Sequence, residues 1–121
     1  EGHRMRYFTY DEFDSPDLPG SGEFMEQEFL DLLDDARDIA GVPFIINSGF
    51  RTEGHNRVVG GKENSSHLTG WAADIRATTS NRRYLVIAAL CGVGFTRIGV
   101  ADSFVHVDLD PFKAQNVMWL Y

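Results

Sequence analysis

Trp71-Ala72-Ala73-Asp74-Ile75-Arg76-Ala77 alternates in a way that decides the fold. On an extended strand Trp71, Ala73, Ile75 and Ala77 share one face, while Ala72, Asp74 and Arg76 share the other. One face can join an apolar core while the other carries a carboxylate. Phe104-Val105-His106-Val107-Asp108-Leu109 has the same design. Val105, Val107 and Leu109 lie opposite His106 and Asp108. A further strand is predicted over residues 96–100. The tight connection Ala101-Asp102-Ser103 then predicts an antiparallel hairpin.

Working outward, Met25, Phe29, Leu32, Leu33, Ala36 and Ile39 recur at helical spacing and predict a helix over residues 23–40. Its Asp and Glu residues read as a solvated face. Gly41 is a natural stop, with Pro43 just beyond. Residues 43–47 read as a short buried strand, and residues 52–58 as a short helix between polar loops. A second long helix is predicted over residues 80–90, capped by Thr79 or Ser80 and ended by Gly92 and Gly94. Residues 6–22 are turn-rich and read as an arm packed by Tyr7, Phe8 and Phe13. The apolar tail, residues 112–121, is expected to dock on the core. This order of elements predicts an α+β domain: a mostly antiparallel sheet with helices packed on one face.

Length and charge narrow the function. The 121 residues suit a single domain. A net charge of −7 argues against a nucleic-acid partner. No apolar run reaches the roughly 18 residues a membrane span requires, so no membrane partner is expected. A monomer is expected. The single cysteine, Cys91, excludes an intrachain disulfide and reads as a buried core thiol. Residues 1–4 look like an expression scar, which makes His3 a poor ligand candidate and residues 5–121 the domain. No secretory signal is seen, so synthesis in the cytoplasm is expected.

The chain has four histidines, His3, His55, His67 and His106. His67 opens the run that leads to Asp74. A carboxylate in so apolar a strand is costly unless it is paired or bound to a metal. Two imidazoles and one carboxylate on neighbouring elements could give zinc three ligands, with a fourth position open to water. The same residues also fit a plainer reading, with satisfied core histidines and a salt-bridged aspartate.

Three segments carry a resemblance. They are Ser48-Gly49-Phe50-Arg51-Thr52, Asn64-Ser65-Ser66-His67-Leu68-Thr69-Gly70-Trp71-Ala72-Ala73-Asp74, and Phe104-Val105-His106-Val107-Asp108. Together they resemble the zinc D-Ala-D-Ala carboxypeptidase family. Its relatives include phage L-alanyl-D-glutamate endolysins, vancomycin-resistance D,D-dipeptidases and the hedgehog domain. The resemblance implies a hedgehog- or D,D-peptidase-like fold with Zn2+ held by His67, Asp74 and His106. It implies that Arg51 binds the substrate carbonyl or carboxylate and acts in catalysis. Ser66, one residue before His67, is a candidate to contact substrate or hold the loop, and Asp108 is a candidate to contact substrate. The resemblance implies a peptidase acting on peptidoglycan stem peptides, either a D,D-carboxypeptidase or an endolysin-type endopeptidase. Small size and the missing leader fit a phage or prophage protein acting on the cell wall.

One position departs from the family pattern. Relatives carry an acid three residues before the last ligand, where this chain has Ser103. Asp102 is then the first candidate for the general base, with Glu63 as another option. Asp108 also suits a role in orienting His106, and Gly70 suits a close backbone approach. Ser103 favours the alternative function, a non-catalytic zinc-stabilised binding module of the same fold.

Overall fold

The structure, a computed structural model, describes residues 5–121. The expected expression scar and His3 lie outside the described residues. Five strands form one sheet: β1 Ile46–Ser48, β2 Ala72–Arg76, β3 Arg97–Val100, β4 Phe104–Asp108 and β5 Val117–Leu120. Their spatial order is β1-β2-β4-β3-β5. All neighbours are antiparallel except β3 and β5. The hairpin expected from the Ala101-Asp102-Ser103 connection is the β3–β4 pair. Three helices complete the α+β fold: α1 Gln27–Ala40, α2 Glu53–Val58 and α3 Ser80–Gly92.

The alternation read from the sequence decides which face is covered. Ala73, Ile75, Ile98, Val105 and Val107 point into the core, where they meet Phe29, Leu33, Val86 and Leu90 of α1 and α3. Phe13, Phe29, Leu30 and Leu33 are fully buried. Removing each such side chain from water stabilises the fold by about 1.5–3 kcal/mol. Asp74, His106 and Asp108 occupy the opposite face.

Several elements differ from expectation. Helix α1 starts at Gln27, not at residue 23. Ser21–Phe24 forms a single 3-10 turn, and Met25 and Glu26 are extended. Burying Met25 and donating the Glu26 N–H to the Gly70 carbonyl (3.0 Å) interrupts the helix there. Ile39, expected in the apolar stripe, is 62% exposed. The acidic face of α1 is not wholly solvated either. Asp34 is buried and accepts hydrogen bonds from the backbone N–H groups of Arg6 and Tyr7, each at 3.0 Å. The arm of residues 6–22 is therefore tied to the helix by a carboxylate that periodicity had placed in water. The first strand is displaced to residues 46–48, leaving Pro43 outside it.

Helix α3 begins where expected, with Thr79 Oγ1 accepting from the Arg82 N–H at 3.1 Å. Cys91 is exposed, not a core thiol. Val86, Ala89 and Leu90 set the buried face, and Cys91 falls on the other. The tail does not dock on the core. It runs parallel to β3 and extends the sheet as edge strand β5. Among the described residues no helix is long and apolar enough to cross a membrane.

Candidate metal centre

Register builds the site. Asp74 on β2 lies directly opposite His106 on β4. Both face away from the helices. His67 arrives from the side, on a 3-10 turn spanning Ser66–Thr69. The turn is opened by Ser65, whose hydroxyl accepts from the His67 N–H at 3.2 Å. It is closed by Gly70 at φ +81. A Cβ on Gly70 would stand 2.4 Å from the Phe24 carbonyl oxygen, so only glycine permits this approach. The expected close backbone contact at Gly70 is thus present.

Ligand atoms of His67, Asp74 and His106 all lie within 4.8 Å of one another, and all three residues are buried. Asp74 Oδ1 is 3.3 Å from His67 Nε2 and 3.0 Å from His106 Nδ1. A tetrahedral ion with bonds of about 2.0–2.1 Å needs neighbouring donors roughly 3.3 Å apart. The spacing therefore fits a metal ion.

Each of the three is also held from behind. The Gly49 carbonyl oxygen lies 2.8 Å from His67 Nδ1. Asp108 Oδ2 lies 2.8 Å from His106 Nε2. Arg51 donates from Nη2 to Asp74 Oδ2 at 3.3 Å. Such partners fix the ring orientation that leaves the other nitrogen for a metal.

The charges agree with this arrangement. Burial pushes the Asp74 carboxyl up, but hydrogen bonds and charge from His106 and His67 outweigh it and hold it well below the usual carboxylate range. Burial lowers His106, but its bonds to Asp108 and Asp74 prevail, so its pKa is raised. Burial raises Asp108, while His106 and Arg97 pull it lower overall. Without a metal, the two carboxylates thus favour the protonated form of His106.

A cavity of about 730 Å³ opens over this group. Arg51, Ser66, Arg97, Lys113, Trp119 and Tyr121 contribute to its wall. A family model described as Peptidase M15 matches residues 6–108. The chain belongs to the Peptidase M15 family. No curated protein matches it. This M15 metallopeptidase carries its His-Asp-His group where β2, β4 and the Ser66–Thr69 turn converge.

The other expected site residues are distributed unevenly. Arg51 is brought to the cavity, with Nε donating to Ser48 Oγ at 3.0 Å and Nη1 to Asn56 Oδ1 at 3.2 Å. Ser66 also lines it, donating to Asp110 at 2.7 Å and accepting from Lys113 at 2.9 Å. Asp108 is 1% exposed and engaged by Arg97, His106 and the Asp110 N–H. That geometry suits orientation of His106 better than contact with substrate. Asp102 is not brought to the metal group. It sits in the exposed β3–β4 turn, outside the cavity wall, with its carbonyl accepting from Arg83 at 2.7 Å. At about 3.3 Å per residue, four residues of extended chain carry it roughly 13 Å from His106. Glu63 lines a smaller neighbouring groove, and His55 lines neither.

Arg97 was not anticipated from sequence, and the tail was expected in the cavity wall without roles for Lys113, Trp119 or Tyr121 individually. Arg97 donates to Asp108 Oδ1 at 2.6 Å and lies 5.1 Å over the Trp119 ring. Their one local signal is Gly99, a glycine inside strand β3.

Proposed function

We propose that this M15 chain is a zinc-dependent peptidase that hydrolyses a peptide bond in the stem peptides of bacterial peptidoglycan. The observation that carries the reading is the three-donor group with the Arg51 guanidinium beside it, at the floor of a peptide-sized cavity. Two imidazoles and one carboxylate, with no thiolate, match a catalytic zinc set. Zinc bound there supplies Lewis-acid polarisation of the carbonyl and an acidified water. Gly49 and Asp108 keep the two imidazoles aimed. Arg51, already fixed by Ser48 and Asn56, is placed to hold the substrate carbonyl oxygen or a neighbouring carboxylate. The proposed setting is a phage or prophage protein acting on the cell wall, supported by the substrate class.

A second reading, a non-catalytic zinc-stabilised binding module, is favoured by one observation. Among the described residues, Asp74 and Asp108 are the carboxylates that line the cavity, and both are already engaged.

The test is mass spectrometry of L-Ala-γ-D-Glu-L-Lys-D-Ala-D-Ala incubated with zinc-reconstituted protein and with His67→Ala. Loss of the terminal D-Ala assigns carboxypeptidase action. Cleavage between L-Ala and D-Glu assigns endopeptidase action. One zinc per chain with no cleavage of this peptide or of intact sacculi rejects the peptidase in favour of the binding module.

A further inference from the structure

Gly99 on β3 is the cross-strand partner of His106. A Cβ on Gly99 would stand 2.6 Å from Trp119 Nε1 and 2.8 Å from Tyr121 Cε2. A side chain there would force the two rings to shift, so glycine at this position lets an indole and a phenol lie on the sheet beside the histidine. The Trp119 ring centre is 5.5 Å from that of His106. Tyr121 is pinned by its backbone N–H, which donates to the Val100 carbonyl at 3.0 Å, and by its ring, 5.2 Å from Phe104.

The Trp119 indole lies beside the Tyr121 ring over Gly99. An indole N–H donates and never accepts, which leaves the phenol's own hydrogen for another acceptor. Tyr121 lines the same cavity as Asp74 and Arg51. Tyr121 is 67% exposed and lines the cavity, so an entering peptide can reach it. The strand order puts β1, with Arg51 just beyond its end, on one side of Asp74 and His106. β3 and β5, with Tyr121, lie on the other.

We propose that Tyr121 is a catalytic hydrogen-bond donor, its hydroxyl meeting the oxygen of the scissile carbonyl from the flank opposite Arg51. The inference rests on the peptidase reading above. As the carbonyl carbon becomes tetrahedral, its oxygen gains negative charge, and a donor already aimed there strengthens its bond in the transition state. The O–H bond stays intact throughout. A tyrosine ordinarily titrates near pH 10. Burial pushes this one higher, so the hydrogen is present at neutral pH.

Tyr121→Phe keeps the ring and the strand and removes only the hydroxyl. With the zinc-loaded protein and the pentapeptide above, kcat is expected to fall about 10- to 100-fold while KM stays within about twofold. Zinc content is expected to be unchanged. A phosphinate analogue of the scissile dipeptide, tetrahedral at phosphorus, should lose affinity by about the same factor, whereas the cleavage-product peptide should not. Unchanged kcat, or a KM rise with kcat intact, overturns the proposal and leaves the peptidase reading standing. Equal weakening of phosphinate and product also overturns it, since a merely structural role would do the same. A wild-type protein that binds zinc but hydrolyses nothing removes both.

Discussion

Asp74 and His106 are the pair on which the site turns, and their charges make it sensitive to pH. With the metal stripped by a chelator, the raised pKa of His106 contributes stability that is fully present below its ordinary value of 6.5 and is lost as pH rises through the raised value. Asp74 and Asp108 are held low, so their contribution is present above the ordinary 3.8 and is lost as pH falls through the depressed values. Thermal melts of metal-free protein should therefore show a stability maximum between about pH 5 and 6.5, with loss on both sides. A melting temperature that climbs steadily to pH 9 would contradict the protonated form of His106 favoured by the two carboxylates. Asp108 should matter through His106. Asp108→Asn is expected to lower metal affinity or activity by about 10- to 100-fold. Asp102→Asn, in an exposed turn outside the cavity, should leave kcat/KM within about twofold. A large loss at Asp102 would show that the β3–β4 turn reaches the metal in the working enzyme.

Helix α3 shows how far periodicity can be read within one element. Residues 86–91 are uniformly apolar, so the run alone assigns no face. The sheet takes Val86, Ala89 and Leu90 and leaves Cys91 outside. Leu90→Ala should cost about 2–5 kcal/mol, through lost burial and a residual cavity. Cys91→Ser should change stability by no more than about 0.5 kcal/mol. Chemical denaturation of the two variants checks both, and a large loss for the serine variant would contradict the exposed placement. Helix α1 teaches the opposite lesson. Its acidic run looked uniformly solvated, yet Asp34 is buried because two backbone N–H groups from the arm need an acceptor there.

For the molecule as a whole, a metal links fold and function. Any ion bound only by the native state stabilises it by mass action, by about 4 kcal/mol at a thousandfold excess over Kd. Chelation should therefore lower the melting temperature and abolish hydrolysis together, and added zinc should restore both. Recovery of the melting temperature without hydrolysis would mark the metal as structural. The alternation in residues 71–77 and 104–109 was enough to fix two strands and their buried faces, and the short connection at residues 101–103 the antiparallel hairpin. The alternation set Asp74, His106 and Asp108 on one side, because a strand's side-chain period is invariant. His67 and Arg51 were legible through their motif neighbours. Other features depended on segments far apart in sequence. The Gly49 carbonyl behind His67, Arg97 bonded to Asp108, and Trp119 and Tyr121 beside Gly99 needed the sheet order and the parallel addition of β5. The exclusion of Asp102 from the cavity also needed it, since one residue of offset in a turn redirects a side chain. Periodicity is a local property of the chain and survives without its partners, whereas the wall of the cavity exists only once β5 has chosen its edge.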